Sequence, residues 1–246
     1  MFHVEQDPTV NTEPSSLWLR TICLSNGLSV DDGKFDLLSQ YVQLLLEWNE
    51  KINLISRRDV QNVWVSHILH SISPLLVLRL DSQASVLDLG SGGGLPGIPI
   101  KIINPSLRVI LLDSTQKKII ALQEIIQKLS LSDVEAVWGR AEEVGPSTKH
   151  RGKYDYVVAR AVAPLKDLVK WSFSFLRTGG ARTAPDTQQT FVHSPALIAL
   201  KGGDVEKETM QAKQLRCVKS IKVTSLTFKG SEQLLENDKK IIVVQF

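Results

Sequence analysis

The residues best suited to chemistry fall in one short run, Val86-Leu87-Asp88-Leu89-Gly90-Ser91-Gly92-Gly93-Gly94-Leu95-Pro96-Gly97, the core of a Val86–Ile100 segment. An apolar strand runs into a glycine cluster and then into a helix, with Pro96 near its first turn. Glycines permit the tight turn and let the backbone approach a ligand with no Cβ in the way. Twenty-five residues after Asp88, Asp113 ends the next apolar run, Val109-Ile110-Leu111-Leu112. An acid there can accept both hydroxyls of an adenosine ribose. Loop and acid together serve either a nicotinamide dinucleotide or S-adenosylmethionine.

Three details favour the methyl donor. Asp88 lies inside the loop as D-x-G-x-G-x-G, where the charged amino acid portion of a sulfonium ligand has to be held. A dinucleotide loop presents a helix N-terminus to a pyrophosphate, and an acid beside that anion is unfavourable. Gly139-Arg140-Ala141-Glu142 follows the third strand, where methyltransferases commonly bracket the adenine. A nicotinamide-dependent oxidoreductase remains the alternative from another enzyme class.

The residues after the fourth strand bear on the acceptor. Enzymes that methylate exocyclic adenine nitrogens place an Asn/Asp-Pro-Pro-aromatic motif there, whereas this chain has Ala159-Arg160-Ala161-Val162-Ala163-Pro164. Methylation of pyrimidine C5 needs a thiolate, and neither Cys23 nor Cys217 falls at a strand end. No His, Lys or Asp at this strand end offers a general base either. A guanine N7 needs none, because its lone pair is free at neutral pH and alignment with the methyl group suffices. No catalytic residue stands out, and Arg160 is a candidate for positioning. It sits where ligands bind in open α/β sheets, a salt bridge to Asp88 or Glu142 being its competing role. Lys201, ending the fifth strand, is a rim cation suited to an RNA phosphate. Arg58 pairs with Asp59 or touches a phosphate. His67 and His70 share a helix, but no nearby Cys or acid completes a metal site, so His67 reads as a packing residue and no metal is expected. Trp48, Trp64 and Trp171 read as core residues, and Tyr154 and Tyr156 as structural.

These residues need elements to carry them. From Ala84 onward strands alternate with helices, which predicts a mostly parallel sheet covered on both faces. The strands fall at Ser85–Leu89, Arg108–Leu112, Val134–Trp138, Tyr154–Ala159, Ala196–Leu200, Ile221–Phe228 and Ile241–Phe246. Helices fall between them at Ile98–Ile103, Gln116–Leu129, Leu165–Leu176 and Val205–Leu215. The last two strands lie only about a dozen residues apart with no strong helix between them, so a closing antiparallel hairpin makes seven strands with the final one reversed. Ahead of them, 3.6-residue periodicity predicts helices over Leu17–Leu28, Phe35–Ile52 and Val60–Leu78, with Asp31 or Asp32 capping the second. The result is a Rossmann-like α/β fold with an N-terminal helical extension. Residues 1–60 form the tail and extension and 61–246 the main domain, together one compact unit. Met1–Ser15 reads as a frayed tail, and Arg177–Pro195 as a loop far longer than the usual ~2–6 residues, either a lid or an insertion.

Composition sets the outer limits. The 246 residues are 43% hydrophobic and 22% charged, ordinary values for a globular protein. No apolar run approaches the roughly 18–20 residues of a membrane span, and Met1–Pro14 carries three acids and no signal-peptide core. The two distant cysteines have no metal-ligand spacing and suit a reducing, cytoplasmic setting. Residues 1–60 hold 5 Lys/Arg against 9 Asp/Glu, while residues 61–246 hold 24 against 17. A basic body permits a polyanionic substrate without establishing one.

Taken in order, several segments resemble a known family. They are Asn53-Leu54-Ile55-Ser56-Arg57-Arg58-Asp59, His67-Ile68-Leu69-His70-Ser71, the Val86–Ile100 loop, Asp113-Ser114, Arg140-Ala141-Glu142, Ala159-Arg160-Ala161 and Leu200-Lys201-Gly202. Over about Phe35–Phe246 the chain is similar to RsmG, the glucose-inhibited division protein B family of bacterial 16S rRNA guanine-N7 methyltransferases. That resemblance implies the class I methyltransferase fold, S-adenosylmethionine as cofactor, and methylation of a guanine N7 in the 530 loop of 16S rRNA or the 30S particle. It also implies that Gly90, Leu95, Ala141, Glu142 and Arg160 contact the cofactor, with Asp113 added on the ribose chemistry. A monomer with no membrane association is the expected state. The chain departs from the family at His70, where an Asp is usual, and in the length of Arg177–Pro195. A protein that keeps the fold and binds RNA without turnover is the third possibility.

Overall fold

The computed structural model describes residues 14–178 and 190–246. Most of the Met1–Ser15 tail and the middle of the Arg177–Pro195 stretch therefore lie outside the described residues. Two helices open the chain, α1 (Ser16–Ser25) and α2 (Asp32–Asn49). Asp31 is the cap of α2, its carboxylate accepting the Lys34 amide, which satisfies an N-H that the helix itself cannot. Next come a 3-10 turn at Arg57–Asp59, a π-helical turn at Trp64–Leu69, and α3 (His70–Val77). The single helix expected over Val60–Leu78 is thus two abutting pieces, the π-helical turn and α3, with the 3-10 turn lying ahead of it. Pro74 within α3 cannot bond back to the His70 carbonyl, and the Ser73 hydroxyl donates to that carbonyl instead, at 2.8 Å.

The remaining elements are β1 (Leu78–Arg79), β2 (Ser85–Leu89), α4 (Gly97–Ile103), β3 (Arg108–Asp113), α5 (Gln116–Lys128), β4 (Val134–Trp138), α6 (Ala141–Val144), β5 (Tyr156–Arg160) and α7 (Leu165–Phe175). After them follow β6 (Thr190–Phe191), β7 (Ala196–Gly202), α8 (Glu206–Lys213), β8 (Ser220–Ser225), α9 (Glu232–Glu236) and β9 (Lys239–Gln245). Seven strands form one sheet in the order β4-β3-β2-β5-β7-β9-β8, parallel except for β9, which runs against both neighbours. The predicted seven strands and reversed final strand are both found. The short β1 and β6 make a separate parallel pair, so the far end of the long Arg177–Pro195 connection is tied back to Leu78–Arg79. Tyr154 only bridges to Leu176 and stands outside β5.

Central strands such as β2 and β5 are buried on both faces and mostly apolar, Asp88 and the terminal Arg160 being the charged exceptions, as suits parallel strands covered by helices. One buried cluster joins the strands to the N-terminal helices, running from Leu19, Leu38 and Leu45 through Ile98 to Val158 and Ile198. Within it, Tyr41 of α2 is fully buried and donates its hydroxyl to the Gly93 carbonyl at 2.8 Å. Leu45 packs so closely on Gly93 that a Cβ there would lie 2.6 Å from its Cδ1. A Tyr41→Phe chain should lose about 1 kcal/mol of stability by leaving that carbonyl unpaired, read as a small fall in thermal midpoint; an unchanged midpoint would count against the contact.

Candidate active site

The strand order reverses at β2, which has β3 on one side and β5 on the other. Ligands of open α/β sheets bind in the crevice beyond the carboxyl ends of strands at such a point. Register puts the right residues there: Leu89 pairs with both Leu112 and Ala159, so Gly90, Asp113 and Arg160 leave the sheet side by side. Two cavities open at this edge. The larger, about 430 Å³, is walled by the glycine loop from Gly90 to Gly93 and by Leu95, Arg160, His67, Asp59 and Lys239. The smaller, about 200 Å³, is walled by Asp113, Ser114, Gly139 to Glu142, Val162 and Trp171. Gly90 belongs to both and is the partition between them.

All six residues expected at a cofactor therefore lie on this pair of cavities, Leu95 and Arg160 on the larger, Asp113, Ala141 and Glu142 on the smaller, Gly90 on each. Asp113 is already partly engaged. Its Oδ2 accepts from the Gly92 amide at 2.9 Å and its Oδ1 from Thr115 at 2.8 Å. A carboxylate offers about four acceptor sites, so the acid locks the loop's shape and keeps capacity for a diol.

Three expectations need correction. Asp88 lines neither cavity: it is fully buried, and its Oδ2 accepts from the Gly97 amide at 2.8 Å, fastening α4 to β2. Burial pushes this carboxyl up to about 7, against the pull of the Gly97 hydrogen bond and the Arg160 charge. Lys201 is no free rim cation. Its ammonium donates to the Ala163 carbonyl at 2.7 Å and pairs with Glu208, whose Oε2 also accepts from the first amide of α7. It braces the turn that carries Ala161 and Val162. The three tryptophans are only half-buried at the edge of the core, and Trp171 walls the smaller cavity.

Arg160 makes neither of the salt bridges weighed for it. One guanidinium nitrogen donates to the Ser66 carbonyl at 3.1 Å, the other meets His67 Nδ1 at 2.7 Å, and its Nε is buried without a partner. An arginine can only donate, so Nδ1 is the acceptor and the imidazole proton sits on Nε2, 3.5 Å from the Asp59 carboxylate. Burial, and then the charges of Arg160 and Lys239, hold His67 down from 6.5 to about 3. His70, also buried, is pushed well below its usual range by the same causes. The unfolded chain takes up these protons below pH 6.5, and the folded chain does not take up that of His67 until about 3. The stabilisation is therefore complete above 6.5 and is lost as pH falls through that window. A His67→Asn chain should lose stability less steeply from pH 6.5 to 3 in urea titrations, and parallel curves would refute this.

Several participants carry no signal in the sequence read alone. Gln233, Leu234 and Asn237 of the α9 turn and Lys239 of β9 close the larger cavity from the C-terminal end, in a segment that reads as a bare hairpin. Asn49 Oδ1 accepts from the amides of Leu54 and Ile55, both at 2.9 Å, folding that loop onto the cavity. Only a Ser-x-x-Leu-Leu pattern at Ser231 hints at α9. Among the described residues no cluster of metal-ligating side chains occurs, and no helix is long and apolar enough to cross a membrane.

The site has the features an S-adenosylmethionine pocket requires. Gly90 has a φ of +72°, and a Cβ on it would lie 2.7 Å from Val162 Cγ2, so only glycine leaves the partition open. A cation without a carboxylate partner stands on one side and an acid with spare acceptor capacity on the other. Solved structures share the fold: an O-methyltransferase from Bacillus cereus in complex with S-adenosylhomocysteine has a TM-score of 0.52 at 17% identity, over 84% of this chain and 90% of that one. A predicted O-methyltransferase from Agrobacterium tumefaciens also has 0.52, at 12% identity over 72% and 79%. Fold and site define a class I S-adenosylmethionine-dependent methyltransferase. The family model of rRNA small subunit methyltransferase G matches residues 34–237, and the chain belongs to that family. A relative of that name from Alkaliphilus metalliredigens is 39% identical over 197 residues, 79% of this chain and 82% of its own. Another from Alkaliphilus oremlandii is 35% identical over 75% and 79%.

Proposed function

We propose that the chain methylates N7 of a guanine in the 530 loop of 16S rRNA, acting as a monomer on the rRNA or the 30S particle in the cytoplasm. The observation that carries the cofactor part is the meeting of two cavities at Gly90, an acid on one side and a cation on the other, and the match to rRNA small subunit methyltransferase G over residues 34–237 supports the acceptor. S-adenosylmethionine, when bound, would supply a sulfonium methyl group that a lone pair can take up directly, the breaking C–S bond leaving its electron pair on neutral S-adenosylhomocysteine. Asp113 accepts from the ribose hydroxyls, while Ala141 and Glu142 border the adenine. Arg160 neutralises the amino acid carboxylate, and Gly90 and Leu95 give close approach between them. The larger cavity has room for an acceptor base beside the amino acid portion. N7 brings its own lone pair, so these residues need only align it. Cationic Lys239 on the wall, with exposed Arg57 and Arg58 nearby, suits an RNA backbone, whereas Lys118 on the same wall stands 3.9 Å from Asp113.

Labelled cofactor incubated with 30S particles and with free rRNA, then mapped by N7-specific cleavage, tests the proposal. Label at a guanine of the 530 loop is the expected result, and label elsewhere or none in either substrate rejects it. Separate titrations with NADH and S-adenosylhomocysteine should show binding of the second alone.

A further inference from the structure

We infer that His67 is a positioning residue for methyl transfer: together with the Ser66 carbonyl it holds the Arg160 guanidinium where an anion in the larger cavity meets it. This rests on the reading of Arg160 as a cofactor contact. The π-helical turn Trp64–Leu69 makes the arrangement. Successive residues of a regular α-helix face different ways, yet Val65, Ser66 and His67 all line the same cavity. Such turns are frequent at functional sites.

The chemistry is that of a cation held for a visiting ligand. Arg160 is half-buried, with its Nε fully so, and its two fixed partners are an uncharged carbonyl and an uncharged imidazole. Asp88 and Asp59 act on it only through space. A buried guanidinium without a bonded counter-ion is costly, and an apolar residue of similar volume would fill the same space more cheaply. Its two hydrogen bonds fix the plane of the fork, which decides how a carboxylate can be met. A protonated His67 could not accept from Arg160, and burial beside that charge keeps the ring neutral. His67 Nε2 has no hydrogen-bond partner, the Asp59 carboxylate standing 3.5 Å away, so the donation from Arg160 to Nδ1 is what fixes the tautomer.

Calorimetric titration with S-adenosylhomocysteine of the full chain, His67→Leu, His67→Asn, Arg160→Met and the Leu/Met double variant tests this. A hydrogen bond to a charged group corresponds to about 10–100-fold in affinity. We expect Arg160→Met to weaken binding by about that factor and His67→Leu by about tenfold. His67→Asn, whose amide oxygen replaces Nδ1, should stay within about threefold of the parent. The double variant should bind no more weakly than Arg160→Met alone, since His67 acts through Arg160. Parent-like affinity in His67→Leu with weakened Arg160→Met overturns the inference alone, as does a multiplicative loss in the double variant. Parent-like affinity in Arg160→Met overturns both the inference and the cofactor assignment. If His67→Leu does not fold, His67→Gln, which keeps bulk but moves the acceptor away from Nδ1, takes its place with the same expectations.

Discussion

Gly90→Ala should reduce affinity for S-adenosylhomocysteine by about a hundredfold, or ~2.7 kcal/mol, and abolish methylation while the sheet still folds. A non-glycine residue in the left-handed region costs roughly 1–2 kcal/mol. Beyond that, the new methyl would press on both Val162 γ-carbons, 2.7 and 2.8 Å away. Val162 is 37% exposed and can swing aside, so the fold survives. It can do so only by moving within the space where the two cavities meet. Calorimetry and circular dichroism on the same sample separate the effects. Near-parent affinity with intact ellipticity would show that the partition is not part of the binding surface.

Gly97→Ala should act the other way, on the fold before the ligand. A Cβ at Gly97 would lie 2.6 Å from Leu111 Cδ2, 2.7 Å from Asp88 Oδ2 and 3.0 Å from Asp88 Cβ. Leu111 and Asp88 are both fully buried, so neither can yield into solvent. Alanine in place of glycine gains about 1 kcal/mol of helix propensity, whereas overpacking costs about 1–3 kcal/mol. Displacing the Asp88 carboxylate from the Gly97 amide adds about 1.5–3 kcal/mol. The overlap wins, with a net loss of about 2–4 kcal/mol and a thermal midpoint lower by roughly 5–15 °C. A midpoint at or above the parent value would mean that α4 is free to slide on β2.

These two glycines show where the sequence is legible and where it stops. The D-x-G-x-G-x-G run marks a loop after a strand, and the switch-point rule then brings Asp113 and Arg160 to the same edge. That much follows from parallel strands of matched length. The direction of Asp88 does not follow, because β2 is buried on both faces and alternation carries no information there. The π-helical turn is invisible for a related reason. Val63, Val65, Ile68, Leu69 and Ile72 are apolar whether the turn is α or π, and one residue of slippage leaves no trace in periodicity. Tyr41 reads as one more core aromatic of α2, since its hydroxyl's partner lies 52 residues away. Lys201 looks available until Glu208, seven residues on, is seen to reach back to it.

The clasp of Tyr41 and Leu45 on Gly93 has a thermodynamic corollary. The cofactor loop and the N-terminal helix form a shared surface, so the loop cannot loosen without exposing part of α2. A ligand that binds only the ordered loop shifts every opening equilibrium that disrupts the loop by the same free energy. Amides of α2 that exchange with solvent through such openings should then slow in proportion to ligand concentration over its dissociation constant, although their helix donates nothing to the ligand. The acidic N-terminal segment, which contributes none of the residues assigned to the cofactor, is in that sense part of the binding reaction.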